Sequence, residues 1–307
     1  MHLIIPYAAF ADVPQDTLQQ LQLPHLRQLL AQMQCVQRDE TGDDVPHLPH
    51  ERCQARALGW PDAAPWPWAA WAHPEQPGPQ AWITPCHWQI GMDQVVMLEP
   101  ARLQLSDAES QQMLEAMQPF LQEDGLTVRW HSAQLWHASG ALFENMPSVS
   151  LDRVSGQNVK PWITNGHMPP SLRRLQSEMQ MLLYNHPVND ARMARGECSV
   201  NSFWVHGAGS MTQPPAVQAH SVVVVPTLRE ALMQRNLPAW QAAWQALDQD
   251  LLAPWASQAP PSDLRLSLCS ETRAHTYQWG ERSWLQRLGA AFQKTDTAAA
   301  LQALTSP

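Results

Sequence analysis

Residues 199–236, SVNSFWVHGAGSMTQPPAVQAHSVVVVPTLREALMQRN, decide which fold the sequence predicts. SVNSFWVHG (199–207) carries valine and aromatic residues typical of a strand, and AHSVVVVP (219–226) predicts a second, fully buried strand. TLREALMQRN (227–236) has the apolar spacing of a helix. Strands that alternate with helices predict a layered α/β fold whose mostly parallel sheet is covered by helices on both faces.

The same alternation continues in both directions. HLIIPYAAF (2–10) predicts a short buried strand, and LPHLRQLLAQMQ (23–34) predicts a helix with one apolar face. LRLSLCS (264–270) predicts a further strand, and a terminal helix is expected from 281 to about 304. No fixed-period repeat is present, which argues against a solenoid. We expect one α/β domain over residues 1–307.

The composition excludes several classes of function. Hydrophobic residues make up 44% of the chain and charged residues 15%, which indicates a globular protein. The 28 acidic against 19 basic residues give a net charge of -9, which argues against nucleic acid or an anionic membrane as a partner. No apolar run approaches the roughly 20 residues that cross a bilayer, and the N-terminus lacks the basic region of a secretory signal. We therefore expect a cytoplasmic protein.

The cysteines agree with that compartment. Their number is odd, they are widely scattered, and they form no CxxC pair: Cys35, Cys53, Cys86, Cys198 and Cys269. This usage predicts reduced thiols, with neither a disulfide framework nor a zinc knuckle.

A segment rich in proline and tryptophan, at about 46–82, is expected to leave the regular layers as an excursion. Four of the 15 tryptophans of the chain lie in it: Trp60, Trp66, Trp68 and Trp71. Aromatic side chains suit a surface that recognises a protein partner, and they equally suit a lid that packs on its own core. The sequence leaves these two interpretations open.

LLYNHPVNDARMARGECSVNSFWVHGAG (182–209) gathers the strongest candidate binding residues. Pro187 forbids continuation of the preceding helix, and Asn189 or Asp190 is expected to cap a short helical turn. Arg192 and Arg195, three residues apart, fall on one side of that turn. Two guanidinium groups beside exposed amides predict a clamp for phosphate or carboxylate. Spacing alone favours the alternative, in which one arginine pairs with Asp190 or Glu197 and the other is solvated.

The end of the same stretch completes the candidate site. Gly207 and Gly209 allow the backbone to approach a ligand or another chain segment closely, and His206 is a candidate acid, base or ligand. The predicted anion-binding set is Asn189, Arg192, Arg195, Asn201, His206, Gly207 and Gly209.

Two other constellations are weaker. HLPHERC spaces His47, His50 and Cys53 three apart, but we expect Pro49 to break the helical path that would aim them at one ion. TPCHW places Cys86 next to His87, yet neighbours in a strand point to opposite faces, which favours a buried thiol and a hydrogen-bonded imidazole over a catalytic pair. No catalytic residue, metal or cofactor is therefore assigned.

Several stretches resemble the RpfE-type regulatory proteins (regulators of pathogenicity factors) of bacteria. They are PWAAW, AWITPCHWQIGMDQV, PFLQEDG, SLDRV, LRRLQSEMQMLLYNHPVNDAR and VNSFWVHGAG. The resemblance covers nearly the whole chain and implies a regulatory role. It does not imply a reaction.

A narrower resemblance concerns chemistry. HPVNDAR and VNSFWVHGAG are similar to a segment of archaeal-type cofactor-independent phosphoglycerate mutases, and MHLIIPYAAFAD and LPHLRQLL resemble the N-terminus of those enzymes. That relationship implies an alkaline-phosphatase-like α/β core with two divalent metals and a serine nucleophile. The chain departs from the pattern, because the first metal-binding aspartate is expected near Tyr7 and no DxxxHxxH or GHxxD cluster follows.

These departures predict a metal-free pseudoenzyme that acts as a regulatory or binding protein for a small phosphorylated or carboxylated metabolite. One alternative is an active metal-dependent phosphomutase or phosphatase with atypical ligands among Asp12, His87, Asp93 and His206. Another is a scaffold that docks a protein through the tryptophan-rich excursion.

Overall fold

A computed structural model describes residues 1–62, 65–164, 166, 168–211, 221–257, 261, 263–280 and 296–305. The chain divides into two compact units, of which the first comprises residues 1–62 and 215–307 and the second residues 63–214. The single domain expected over residues 1–307 stays a prediction, because a division into compact units does not establish whether each unit folds alone.

The elements are numbered along the chain. Up to residue 62 they are β1 (His2–Ile5), α1 (Gln15–Gln20), α2 (Pro24–Gln32), β2 (Met33–Glu40) and α3 (Pro49–Ala57). The second unit contains α4 (Trp68–Ala72), β3 (Gln80–Cys86), β4 (Trp88–Ile90), β5 (Val95–Met97), α5 (Asp107–Glu123), β6 (Thr127–Ser132), β7 (Leu135–Ser139), α6 (Leu151–Val154), α7 (Lys160–Thr164), α8 (Pro170–Tyr184), α9 (Pro187–Ala194) and β8 (Ser202–Gly209). The chain continues with β9 (Val222–Val224), α10 (Thr227–Met233), α11 (Leu237–Leu247), α12 (Ala253–Ser257), β10 (Arg265–Cys269), β11 (Arg273–Trp279) and α13 (Thr297–Gln302).

The first unit is built on a mixed five-stranded sheet in the order β2-β11-β10-β1-β9. Strand β1 runs parallel to β10 and β9, whereas β11 is antiparallel to both β10 and β2. Strand β9 lies at the edge and is only partly buried, so the expectation of a fully buried strand at 219–226 is wrong. Of the terminal helix expected at 281–304, the described residues contain Thr297–Gln302, and residues 281–295 lie outside them.

The second unit holds an antiparallel four-stranded sheet, β6-β7-β3-β8, and a separate β4–β5 hairpin. The predicted α/β class is confirmed, but the prediction of a mostly parallel sheet is wrong. Residues 270–272 join β10 to β11, and residues 133–134 join β6 to β7. Links this short produce hairpins, since a parallel crossover needs a dozen or more residues.

Buried tryptophans connect separate segments of the chain in each unit. In the first, Trp240 and Trp244 on α11 are fully buried, and their indole N–H groups donate to the carbonyl oxygens of Tyr7 and Ala8 at 3.0 Å each. In the second, the Trp136 indole on β7 donates to the Ser110 hydroxyl on α5 at 2.9 Å, which joins the sheet to its covering helix. Within the described ranges, no helix is both long and apolar enough to span a bilayer.

Candidate functional site

The arginine-bearing turn is a two-turn helix whose start differs from the prediction. Helix α9 begins at Pro187, and the Nδ1 atom of His186 accepts a hydrogen bond from the Val188 amide at 3.3 Å. A cap at Asn189 or Asp190 is therefore wrong, because proline is favoured at the first helical position and starts the helix earlier. Gly196 follows the helix at φ +76°, as a left-handed C-terminal residue should.

Arg192 is fully buried, and its guanidinium binds the chain itself. The Nε atom donates to the Cys198 carbonyl at 2.8 Å, and Nη1 donates to the Glu109 carboxylate at 2.9 Å. The Nη2 atom donates to the Leu103 carbonyl. The three nitrogens thus hold α9 against the segment that leads into α5, and no face of the group is open to solvent.

Arg195 is about half exposed and is also paired. Its Nε and Nη2 atoms contact both carboxylate oxygens of Glu197 at 2.9 and 2.7 Å, and Nη2 lies 2.6 Å from Glu109. Burial opposes ionisation of Glu109, but hydrogen bonds from Ser106 and Arg195 and the charge of Arg192 lower its pKa. Two guanidinium groups and two carboxylates therefore form one charge-balanced network.

The two asparagines of the predicted site connect chain segments. The buried Asn189 amide donates to the carbonyls of Leu183 and Val200 at 2.8 and 2.7 Å, and it accepts from the Val200 amide at 2.9 Å. In the same way, the Asn201 side chain accepts from the Trp88 amide at 2.7 Å and donates to the Trp88 carbonyl at 2.9 Å. The role of Asn189 and Asn201 in binding an anion stays a prediction. A ligand at either side chain would have to replace its hydrogen bonds to the backbone.

The two glycines admit a neighbouring chain segment. Gly207 has φ +59°, and a Cβ there would lie 3.0 Å from the Cβ of Trp68 on α4. At Gly209 a Cβ would lie 3.1 Å from the Cβ of Pro67. The sequence leaves open whether the backbone at these glycines approaches a ligand or another chain segment. The geometry supports the approach of another chain segment.

That approaching segment belongs to the tryptophan-rich excursion. Trp66 is 3% exposed, and the ring of Trp68 meets those of Trp66 and Trp71 edge-on at centroid distances of 6.2 and 5.9 Å. Helix α4 lies on β3 and β8, so this part of the excursion packs on its own sheet. A protein-binding role for it, and for the half-buried Trp60, stays a prediction.

The face of the same sheet that is turned away from α5 carries a row of basic and aromatic residues. Arg129 on β6 is in register with His137 on β7, His137 with Trp82 on β3, and Trp82 with His206 on β8. Residues directly opposite in neighbouring strands share a face, so these four side chains form one row across the sheet. His206 of the predicted site thus belongs to a different arrangement from the two arginines.

Three imidazoles surround Trp82, and we call His73, His131, His137 and Trp82 the imidazole cluster. The ring centroids of His73 and His137 are 4.4 Å apart, and those of His73 and His131 are 5.9 Å apart. The Trp82 ring lies 5.2 to 5.5 Å from all three. His73 and His131 are accessible from solvent, whereas His137 and Trp82 are buried beneath them.

Hydrogen bonds fix the tautomer of His137. The Gln80 amide nitrogen donates to the carbonyls of Gln76 and His73, so its oxygen is the acceptor that faces His137 at 2.7 Å. The Nε2 atom of His137 therefore carries the proton, and Nδ1 keeps a lone pair. A proton taken up by this ring goes to Nδ1.

The electrostatics of the row keep its buried histidines neutral at pH 7. Burial lowers the pKa of His137 to about 4, helped by the positive charges of His73 and Arg129 and opposed by Glu75. Burial also lowers the pKa of His206 to about 4, against the charge of Asp152, and the ring lies 3.0 Å from the Thr84 hydroxyl. A bound anion would favour the charged form of these rings.

The weaker candidates have structural surroundings. His47, His50 and Cys53 are buried, and Pro49 is the first residue of α3, so it does not interrupt a helix as expected. Among the residues that the structure describes, no three His, Cys, Asp or Glu side chains are arranged to hold a metal ion. Burial raises the pKa of the Cys86 thiol.

The alternative enzyme ligands are also spread out. The Nδ1 atom of His87 donates to the Ser199 carbonyl at 2.7 Å. Asp12 and Asp93 are exposed surface residues. Tyr7, where the mutase resemblance implies a metal-binding aspartate, is 2% exposed with φ +56°.

Comparisons with known proteins give only remote similarity. No family model matches the chain, and no curated protein matches it. Among solved structures, it is similar to a cofactor-independent phosphoglycerate mutase from Thermoplasma acidophilum, with 14% identity, 99% of this chain and 100% of that chain covered, and a TM-score of 0.33. It is also similar to the PH0037 protein from Pyrococcus horikoshii, with 10% identity, coverage of 99% and 96%, and a TM-score of 0.45. TM-scores this low do not establish a shared fold, so the fold class rests on the sheets themselves.

Sequence reasoning missed the residues that converge around Trp82. The signal was present in RWH (129–131) and LWHAS (135–139), where Arg129, His131 and His137 occupy alternate positions on one face of each strand. Each stretch forms a strand, but the pairing of the two across the sheet is set by a hairpin and by β3, which is distant in sequence.

Proposed function

We propose that the chain is a regulatory or binding protein that takes up a small phosphorylated or carboxylated anion at the imidazole cluster and Arg129. The observation that carries this proposal is the convergence of His73, His131 and His137 around Trp82, with Arg129 next to His137 in the sheet. In a chain of net charge -9, this patch collects four groups that are or can become cationic.

The mutual repulsion of these groups supports an anionic ligand. His73, His131 and Arg129 all lower the pKa of His137, and the exposed Glu75 is the acid that opposes them. An anion bound between the rings would relieve this repulsion, and protons would bind with it. Affinity should therefore increase as the pH falls.

The arginine pair is less suited to the same ligand. The guanidinium of Arg192 is buried against its own chain, and Arg195 already contacts two carboxylates. An anion there would displace Glu109 or Glu197 and leave a carboxylate without its partner. The predicted set of Asn189, Arg192, Arg195 and Asn201 with Gly207 and Gly209 is the competing location, which the experiment below distinguishes.

A non-enzymatic role belongs to the same proposal. It is supported by the aromatic residue at Tyr7, where the mutase resemblance implies a metal-binding aspartate. Membership of the RpfE-type regulatory family and a cytoplasmic location are part of this proposal, on the residues and the cysteine usage given above. Purified protein that contains stoichiometric manganese or zinc and interconverts phosphoglycerates would refute the non-enzymatic role.

Isothermal titration with sulfate tests the anion site, because sulfate keeps its double negative charge across the pH range used. We expect binding at least about tenfold tighter at pH 5.5 than at pH 7.5, from the uptake of about one proton by the rings. His131→Gln, an exposed change, should weaken binding at pH 5.5, and Arg195→Gln is the matched control that should retain it. Loss of binding in Arg195→Gln with full binding in His131→Gln would place the anion at the arginine pair, and no binding to the unaltered protein would remove the proposal. Phosphate then serves as the second probe at each pH.

A further inference from the structure

Two cysteines that are distant in sequence meet in the first unit. Cys53 lies on α3 and Cys269 is the last residue of β10, and both belong to a small buried cluster with Ile4 and Ala274. Their exposures are 2% and 0%, and both thiols are free. Helix α3 lies directly on β1 and β10, which brings the two side chains together.

A group of hydrogen-bonded polar side chains lies near these buried thiols. Ser267, two residues before Cys269, hydrogen-bonds with His2 at 2.8 Å and with Thr276 at 2.7 Å. Residues two apart in a strand share a face, so Ser267 and Cys269 both face α3.

The two thiols are electrostatically unequal. The neighbouring Cys269 thiol is the largest influence on Cys53, and together with Ser267 and the positive charge of Arg56 it lowers the pKa of Cys53 in spite of burial and of Asp39. Burial and the neighbouring Cys53 sulfur raise the pKa of Cys269. Cys53 is therefore the sulfur that ionises first, and Cys269 remains a thiol beside it.

The remaining cysteines differ from this pair. Cys35 and Cys198 are exposed, and Cys86 is fully buried in the core of the second unit. Cys35 and Cys198 are therefore controls for an exposed thiol, and Cys86 is a control for a buried thiol that has no cysteine beside it.

We propose that Cys53 and Cys269 are a redox site, which a small hydroperoxide converts into a reversible intramolecular disulfide. The Cys53 thiolate attacks one peroxide oxygen, the O–O bond breaks, and the departing hydroxide takes up the proton that Cys53 released, which gives water and a sulfenic acid on Cys53. The Cys269 sulfur then attacks the Cys53 sulfur and loses its proton, the S–O bond breaks, and a second water leaves. Two thiols are oxidised to one disulfide, and one hydrogen peroxide is reduced to two waters.

The bond would join α3 covalently to the central part of the sheet through β10. Hydrogen peroxide is small and uncharged, which suits a buried target. A thiol reductant would reverse the reaction after local opening of α3.

Peptide mapping of the full-length protein tests the proposal. The protein is treated with hydrogen peroxide, unfolded in the presence of iodoacetamide, and digested without reduction. We expect a peptide that links Cys53 to Cys269, and three alkylated cysteines where untreated protein has five. Recovery of all five alkylated cysteines, or linkage of Cys53 to any other cysteine, would overturn the proposal.

Single variants separate the two sulfurs. Cys269→Ser should stop at a sulfenic acid on Cys53 that dimedone labels, whereas Cys53→Ser should leave Cys269 unoxidised. Cys198→Ser is the exposed control and should form the Cys53–Cys269 linkage as the unaltered protein does. Since the linkage is first sought in the unaltered chain, a variant that fails to fold does not remove the test.

Discussion

The Nη1 atom of Arg192 lies 2.9 Å from the Oε2 atom of Glu109, and this contact joins α9 to the first turn of α5. Glu109 also accepts hydrogen bonds from the amide and hydroxyl of Ser106 and so completes a capping box. One carboxylate therefore starts a 17-residue helix and neutralises a buried guanidinium. The segment with the most conspicuous cluster of binding residues in the sequence thus has a structural role.

Removal of the buried guanidinium should strongly destabilise the protein. We expect Arg192→Ala to lower the free energy of unfolding by about 3–5 kcal/mol, because breaking a buried ion pair leaves its partner without compensation. Arg195→Ala is the control, with a much smaller effect, because that side chain is half exposed and screened by water. Urea unfolding followed by tryptophan fluorescence measures both. Equal effects of the two substitutions would contradict the structural role of Arg192.

Gly207 should resist substitution more than Gly196 does. Both have a positive φ, so an alanine at either position costs about 1–2 kcal/mol of backbone strain. At Gly207 the new Cβ would also meet Trp68 at 3.0 Å, whereas nothing lies within 4 Å at Gly196. We expect Gly207→Ala to cost about 1–3 kcal/mol more than Gly196→Ala, since α4 must shift.

Thermal or urea unfolding of the two glycine variants checks this difference. A red shift of tryptophan emission in Gly207→Ala alone would report the displacement of α4 from the sheet. Similar stability of the two variants would mean that α4 does not depend on this close approach.

The stability of the protein should decrease in mild acid. His137 and His206 have pKa values of about 4 in the folded chain and an ordinary value of 6.5 when unfolded. Below pH 6.5 the unfolded chain binds protons that the folded chain does not, so their contribution is complete above pH 6.5 and is lost as the pH falls towards 4. Each histidine contributes on the order of 2–3 kcal/mol over that window.

Urea unfolding at several pH values between 7.5 and 4 measures the slope of the free energy of unfolding against pH. His206→Gln should flatten it, because glutamine does not titrate. His2, whose pKa burial also lowers to about 4, should keep part of the slope in that variant. An unchanged slope in His206→Gln would show that His206 titrates normally in the folded protein.

The sequence predicted the elements better than their arrangement. The helix in LPHLRQLLAQMQ and the strand in LRLSLCS follow from apolar spacing within one segment. The sheets do not, because the direction of β11 depends on a three-residue link and that of β3 on partners distant in sequence. Alternation of strands and helices favours parallel crossovers, and it does not reveal the β6–β7 and β10–β11 hairpins.

The candidate site shows the same limit. Arg192 and Arg195 were noticed because they are close in sequence, and Glu197 was foreseen as a partner. Glu109 lies 83 residues away from Arg192, and the sequence does not indicate that it pairs with Arg192 and Arg195. His73, His131 and His137 are brought together only by the excursion and the four-stranded sheet, so the alternation within each strand does not show that the three rings meet.

The central claim is that an anion binds among the imidazoles, and the ionisation of His137 tests it most directly. Proton NMR of the His137 ring, assigned by a His137→Gln variant, gives its pKa with and without saturating sulfate. We predict a rise from about 4, because the anion stabilises the charged ring, and the same rise in Arg195→Gln. A His137 pKa that sulfate leaves unchanged, while the protein binds the anion, would contradict the account.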